Sequence, residues 1–226
     1  APDLGPARGQ RRLNWLAHAL LSPPDPDIRL ANVLADILTP EDIRRLGPKF
    51  AAGVRQHRAI DAFTDRHPVV ARSRARIPQP HRRYAGVLVD IFYDHCLTIH
   101  WAKHSDIPFT QFIQDFYAHA WNRLPDLPGD PGEMIRLVVQ NDRFGSYATL
   151  DGIRDALERL SARILEQYGR QLDLASATDA LASGLPDFQS DFALFFPELL
   201  QQIRKSGWPG NSDAVSPLVP VRPGNR

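Results

Sequence analysis

The stretch from Val87 to Trp101, VLVDIFYDHCLTIHW, constrains the fold of this chain more than any other. On a helix, Asp90 and Asp94 fall one turn apart on a shared face, with His95 beside Asp94. Val87, Leu88, Ile91 and Leu97, with Tyr93 in part, are apolar enough to bury the rest of that helix. Unpaired charge in such surroundings costs several kcal/mol, so these groups need a base, a hydrogen-bond network or a cation as partner. Asp, Asp and His without a thiolate suit a hard or borderline divalent metal. The plainer reading is a helix whose polar side faces water.

Around this stretch, apolar residues recur at spacings of three and four, and Pro, Asp, Ser or Thr opens each segment. The pattern predicts WLAHALLS, capped by Asn14 and stopped at Pro23-Pro24, and then Ile28 to Leu38. A short helix follows from Thr39-Pro40-Glu41-Asp42, and another from Pro48 to about Phe63. His67-Pro68 opens a segment carrying Arg72, Arg74 and Arg76, and the central helix is predicted from about Pro80 to His104. Ile107-Pro108 opens a helix through Trp121, and LPDLPGDPG (124–132) reads as a loop. Helical patterns resume at Glu133–Arg143, Leu150–Tyr168, Leu172–Leu181 and Pro186–Lys205. With no sustained alternation to suggest a strand, the expectation is an all-α, single bundle-like domain over 13–205. Residues 1–12 read as a flexible lead-in, and 206–226 as a flexible Pro/Gly-rich tail.

The 226 residues suffice for one domain with a substantial core. No apolar run reaches the roughly 18 to 20 residues of a membrane span, so no membrane partner is expected. The lone Cys96 excludes an internal disulfide framework and points to a reducing, cytoplasmic setting. Net charge is +1 but uneven, with eight arginines between Arg55 and Arg83 against Asp61 and Asp65. Such a block is either a solvated face or a landing surface for an acidic partner, with Arg55, Arg72, Arg74 and Arg76 as its contacts. Neither zinc-finger spacing nor an RNP-like aromatic motif accompanies it, so nucleic acid is not the expected partner.

Further Asp and His residues sit in apolar company. His57 and Asp61, in VRQHRAID, repeat the i, i+4 spacing on a second helix, with Arg55 and Arg58 beside them. Asp36 ends ANVLAD, and His18 lies within WLAHALL. Individually, His18 reads as a satisfied core histidine, His57/Asp61 as an intrahelical pair and Asp36 as a helix cap. Collectively, four helical segments each offer an Asp or His amid apolar neighbours, and their convergence makes a mononuclear or dinuclear N/O metal site. No Ser/His/Asp elbow, P-loop or GxGxxG competes with it.

LNWLAHALL, ANVLADIL, GVRQHRAIDAFTD and LVDIFYDHCLTIHW, in this order and spacing, closely resemble the bacterial acyl carrier protein phosphodiesterases, also called acyl carrier protein hydrolases. The resemblance covers roughly 13–205, is strongest up to Trp101, and returns in DFQSDFALFFPEL. It implies an all-helical fold similar to a divergent branch of the HD-type metal-dependent phosphohydrolases. It also implies Mn²⁺-dependent cleavage of the phosphodiester joining 4′-phosphopantetheine to the serine of a holo-acyl carrier protein, which leaves apo-carrier protein. The metal ligands it implies are Asp36, His57, Asp61, Asp94 and His95, with His18 close by. In this chain Asp94-His95 stands where a strict HD motif has the reverse order.

The expected reaction is metal-assisted hydrolysis, with Mn²⁺ or Mg²⁺ favoured over zinc by the carboxylate-rich ligand set. Arg58 or Arg55 is expected to neutralise phosphoryl oxygens, and His18 or His100 to protonate the leaving serine oxygen. Two other functions fit the residues. One is an HD-type nucleotide phosphohydrolase that uses the same site. The other is a non-catalytic helical adaptor whose basic face binds an acidic protein.

Overall fold

A computed structural model describes residues 15–205 and Gly207. Asn14 as a cap, the lead-in and nearly all of the tail lie outside the described residues. Within them the chain is all-α and holds no strand. Its helices are α1 (Trp15–Leu21), α2 (Pro26–Leu34), α3 (Pro40–Leu46), α4 (Pro48–Arg66), α5 (Pro68–Arg76) and α6 (Ala85–Ile99). They continue with α7 (Phe109–Arg123), α8 (Gly129–Gln140), α9 (Arg143–Ser146), α10 (Leu150–Tyr168) and α11 (Ala177–Lys205).

The predicted start of α3 holds. Thr39 and Asp42 form a reciprocal capping box at α3. α2 begins two residues earlier than the apolar pattern suggests, because Asp25 accepts from the amides of Asp27 and Ile28. α2 also stops at Leu34, where the amides of Ile37 and Leu38 both turn back to the Leu34 carbonyl. Asp36 therefore lies on a turn after the helix.

The central helix is shorter than predicted. A 3₁₀ turn (His81–Tyr84) precedes α6, and a second (Trp101–Lys103) follows it, with His100 as the C-cap. α8 starts inside the predicted loop, since Pro131 fits a first helical turn. It ends where Asp142 takes φ 40°, the left-handed region. The two predicted C-terminal helices are instead one, α11, which runs through Pro186 and Pro197. Each proline removes a helical hydrogen bond. The buried face of Phe188, Phe192, Phe195, Phe196 and Leu199 holds the helix continuous.

α6 is the buried axis, with Leu88, Val89, Ile91, Phe92, Cys96 and Leu97 fully enclosed. It packs against α1, α5, α10 and α11. α2 and α4 form the tightest pair: a Cβ on Gly53 would lie 2.4 Å from the Ile28 carbonyl oxygen and 2.6 Å from the Ala31 Cβ. Only glycine permits that approach, which brings the backbone of α2 within reach of side chains on α4.

Candidate metal centre

α1, α2 and α4 meet around two stacked imidazoles. The rings of His18 and His57 are 4.1 Å apart between centroids and 22° from parallel, and both are buried. Asn32 orients both. Its side-chain oxygen lies 2.8 Å from His18 Nδ1, and its main-chain oxygen 2.8 Å from His57 Nδ1. The rotamer of the Asn32 amide is fixed by its Nδ2, which donates to the His18 carbonyl (3.2 Å) and to Ser22 Oγ (2.9 Å). Ser22 Oγ in turn donates to the His18 carbonyl at 2.8 Å. Facing acceptors, both Nδ1 atoms carry their ring's proton as N–H donors, so both Nε2 atoms turn to the other side.

On that other side are carboxylates. His18 Nε2 is 3.3 Å from Asp61 Oδ1, and His57 Nε2 is 3.3 Å from Asp61 Oδ2 and 3.2 Å from Asp36 Oδ1. Ligand atoms of His18, His57 and Asp61 lie within 4.8 Å of one another, which makes these three residues a group able to hold a metal ion. Asp36 adjoins it through His57. A third of its side chain is exposed, against 16% for Asp61, so Asp36 stands at the more open edge of the group.

The titratable groups of the centre shift one another strongly. Burial, with the charge of His57, depresses the His18 pKa despite Asp61 and Asn32, so this ring is neutral. Its Nε2 lone pair meets the Asp61 oxygen without hydrogen-bond geometry. Burial also acts against charge on His57, but Asp36 and Asp61 outweigh it and raise its pKa to about 9. Asp61 is itself held far below the usual carboxylate range, since its contacts with His18 and His57 outweigh burial. The metal-free centre thus keeps a proton on His57, in a place where two imidazole nitrogens and carboxylate oxygen converge. Such a mixed N/O donor set fits a divalent cation.

The remaining expected ligands are not brought into this group. Asp94 is fully buried and directs its oxygens to the amides of Leu16 (3.0 Å) and Ala17 (2.9 Å), capping the first turn of α1. Burial raises its pKa well above the ordinary value, against those two amides. His95 Nδ1 donates to the Tyr147 carbonyl at 2.8 Å, and burial lowers the pKa of this ring. Asp94 and His95 of α6 thus point at α1 and at the Tyr147 segment, while the ligand group forms between α1 and α4. His100, half-buried at the end of α6, is not part of the group either.

Arg55 and Arg58 are exposed on α4, flanking His57 in sequence. Arg72, Arg74 and Arg76 of the expected docking row are engaged within the fold. Arg72 Nε (2.9 Å) and Arg76 Nε (3.0 Å) hold Asp191, which also accepts from Ser73 Oγ at 2.7 Å. Arg76 reaches Asp187 as well, and Arg74 pairs with Asp65. The contacts of Arg72 and Arg76 tie α5 to α11, and that of Arg74 ties it to α4.

Asn32, Ser22 and Gln56 are site residues that sequence reasoning missed. Gln56 is buried and donates to the Leu21 carbonyl at 2.8 Å, which ties α4 to the end of α1. Asn32 stands inside the ANVLADIL motif, two residues before the end of α2, and a buried polar residue there is the sign that could have found it.

No described helix is long and apolar enough to cross a membrane. No solved structure matches the chain. The acyl carrier protein phosphodiesterase of Yersinia pestis is 27% identical over 194 residues, covering 84% of this chain and 97% of the relative. That of Serratia proteamaculans is 28% identical over 196 residues, covering 85% and 98%. A relative of the same name from Escherichia coli is 27% identical over 194 residues, covering 84% and 97%. The family model described as acyl carrier protein phosphodiesterase matches residues 13–199. With that match running from before α1 into α11 and enclosing the whole His18–His57–Asp61 group, the chain belongs to the acyl carrier protein phosphodiesterase family.

Proposed function

We propose that this chain hydrolyses the phosphodiester between 4′-phosphopantetheine and the serine of a holo-acyl carrier protein, with Mn²⁺ or Mg²⁺ held by His18, His57 and Asp61. The observation that carries the reading is the convergence of these three ligands inside a chain of this family. A divalent cation there supplies the positive charge that polarises a phosphoryl group and makes water a nucleophile near neutral pH.

The chain's own residues do the rest. Asn32 and Ser22 hold the imidazoles in one tautomer and one orientation. Asp36, at the exposed edge, lies in contact with His57 and completes the acidic side. Arg58 and Arg55 stand exposed on α4, where a guanidinium fork can pair with phosphoryl oxygens and orient the diester. His18 serves as a ligand rather than as a general acid in this reading, because Nδ1 is committed to Asn32 and Nε2 faces the group. Asp94 and His95 act as positioning residues rather than ligands, Asp94 by fixing the turn of α1 that presents His18. We place the protein in the cytoplasm, where the buried free thiol of Cys96 is at home.

Holo-carrier protein and free mononucleotides, each incubated with the Mn²⁺-loaded chain, test the substrate class. The expected products are apo-carrier protein and 4′-phosphopantetheine, with nucleotides almost untouched. Fast nucleotide turnover beside intact holo-carrier protein would assign the centre to nucleotide hydrolysis.

A further inference from the structure

A second charged centre lies on helices other than those that build the metal group. Arg159 and Arg163 stand one turn apart on α10, and Arg143 opens α9. These two helices are in close contact: a Cβ on Gly152 of α10 would lie 1.9 Å from the Ser146 carbonyl oxygen at the end of α9. Arg159 Nε and Nη2 are both buried, and neither has a hydrogen-bond partner. Arg143 is half-buried, and its pKa falls to about 10 through burial and then through the charges of Arg159 and Arg163. The neighbouring Arg154 pairs with Asp179, so it takes that acid away from the cluster.

Gathering like charges and stripping two guanidinium nitrogens of water are both unfavourable unless an anion joins them. Guanidinium forks match tetrahedral oxyanions in shape, and several of them exceed the charge of a single carboxylate. We propose that Arg143 and Arg159, with Arg163 one turn further along, form a binding site for a phosphate group. Free inorganic phosphate and a phosphate monoester such as 4′-phosphopantetheine share this chemistry. The site does not depend on the reading of the metal centre.

Equilibrium dialysis of the full Mn²⁺-loaded chain against radiolabelled inorganic phosphate tests the proposal. The wild type should show a saturable class of sites whose affinity drops about tenfold or more in Arg159→Gln and in Arg143→Gln, as expected when a charge-assisted hydrogen bond is lost. Asp61→Asn, which alters the metal centre, should retain that class. Competition by unlabelled 4′-phosphopantetheine identifies the source: displacement better than by phosphate marks the ester as the ligand, and equal displacement marks the free ion. Unchanged binding in both arginine variants, or a loss confined to Asp61→Asn, would overturn the site. Without phosphate, both arginine variants should melt no lower than wild type, because one of several like charges is gone. A clear fall in Tm would show the guanidinium to be satisfied within the fold and would equally overturn the proposal.

Discussion

Replacing Asn32 by Ala probes how the two imidazoles are held. The substitution removes the acceptor for His18 Nδ1 and both donors of Nδ2, to the His18 carbonyl and to Ser22. The contact of His57 Nδ1 survives, because it uses the main-chain oxygen of residue 32. Three buried hydrogen bonds at about 1 kcal/mol each put the loss of metal-free stability at roughly 2–4 kcal/mol. Freeing one of the two rings should weaken Mn²⁺ by about 10- to 100-fold, since orienting partners of metal-bound histidines carry effects of that size. Asn32→Asp separates the two effects. It keeps an acceptor for His18 and adds negative charge, but deletes both donors, so stability should fall while Mn²⁺ affinity holds or rises. Urea denaturation of the metal-free chain and titration of free Mn²⁺ by electron paramagnetic resonance read the two quantities. An Asn32→Ala variant within about twofold of wild-type affinity, well short of the effect of an orienting partner, would refute the claim that Asn32 sets the His18 tautomer.

Three further outcomes follow from the same geometry. Because His57 keeps its proton up to about 9 in the metal-free centre, a cation must displace it. Apparent Mn²⁺ affinity should therefore rise about tenfold per pH unit from 7 towards 9 and then level off, and a titration showing no slope would contradict this. Asp94→Ala should cost about 2 kcal/mol or more in urea denaturation, through the lost cap and the stranded amides of α1, with Asp94→Asn in between. Reversing charge at Arg72 and Arg76 should lower Tm by breaking the hold on Asp191, with carrier-protein KM changed only as far as the fold is. A KM effect at unchanged Tm would restore the row as a docking face.

The helical order was legible because proline and capping residues punctuate it. Thr39-Pro40, Gly47-Pro48 and His67-Pro68 all mark true boundaries. The long C-terminal helix was not, since local rules stop a helix at proline, whereas the phenylalanine face that carries α11 through Pro186 and Pro197 is a tertiary property. In the site, His57 and Asp61 could be paired from their spacing alone, being one turn apart on α4. Their meeting with His18 depends on how α1 and α2 lie on α4, which is decided by Gly53 and by hydrogen bonds such as Gln56 to Leu21. Asp94 shows the converse. An aspartate buried on an apolar helix is equally able to hold a metal or a helix end, and only the position of the α1 amides tells which. The partners of the arginine row were hidden for the same reason, for Asp191 is 115 or more residues away in sequence from Arg72 and Arg76.

Mass spectrometry of folded holo-acyl carrier protein, after incubation with the Mn²⁺-loaded chain, tests the central claim most directly. The account predicts loss of 4′-phosphopantetheine to leave apo-carrier protein. Conversion should stop in excess chelator, and both His57→Ala and Asp61→Ala should be inactive despite retaining helical circular dichroism. Full conversion under chelator, or by either variant, would contradict a metal-dependent reaction at the His18–His57–Asp61 group.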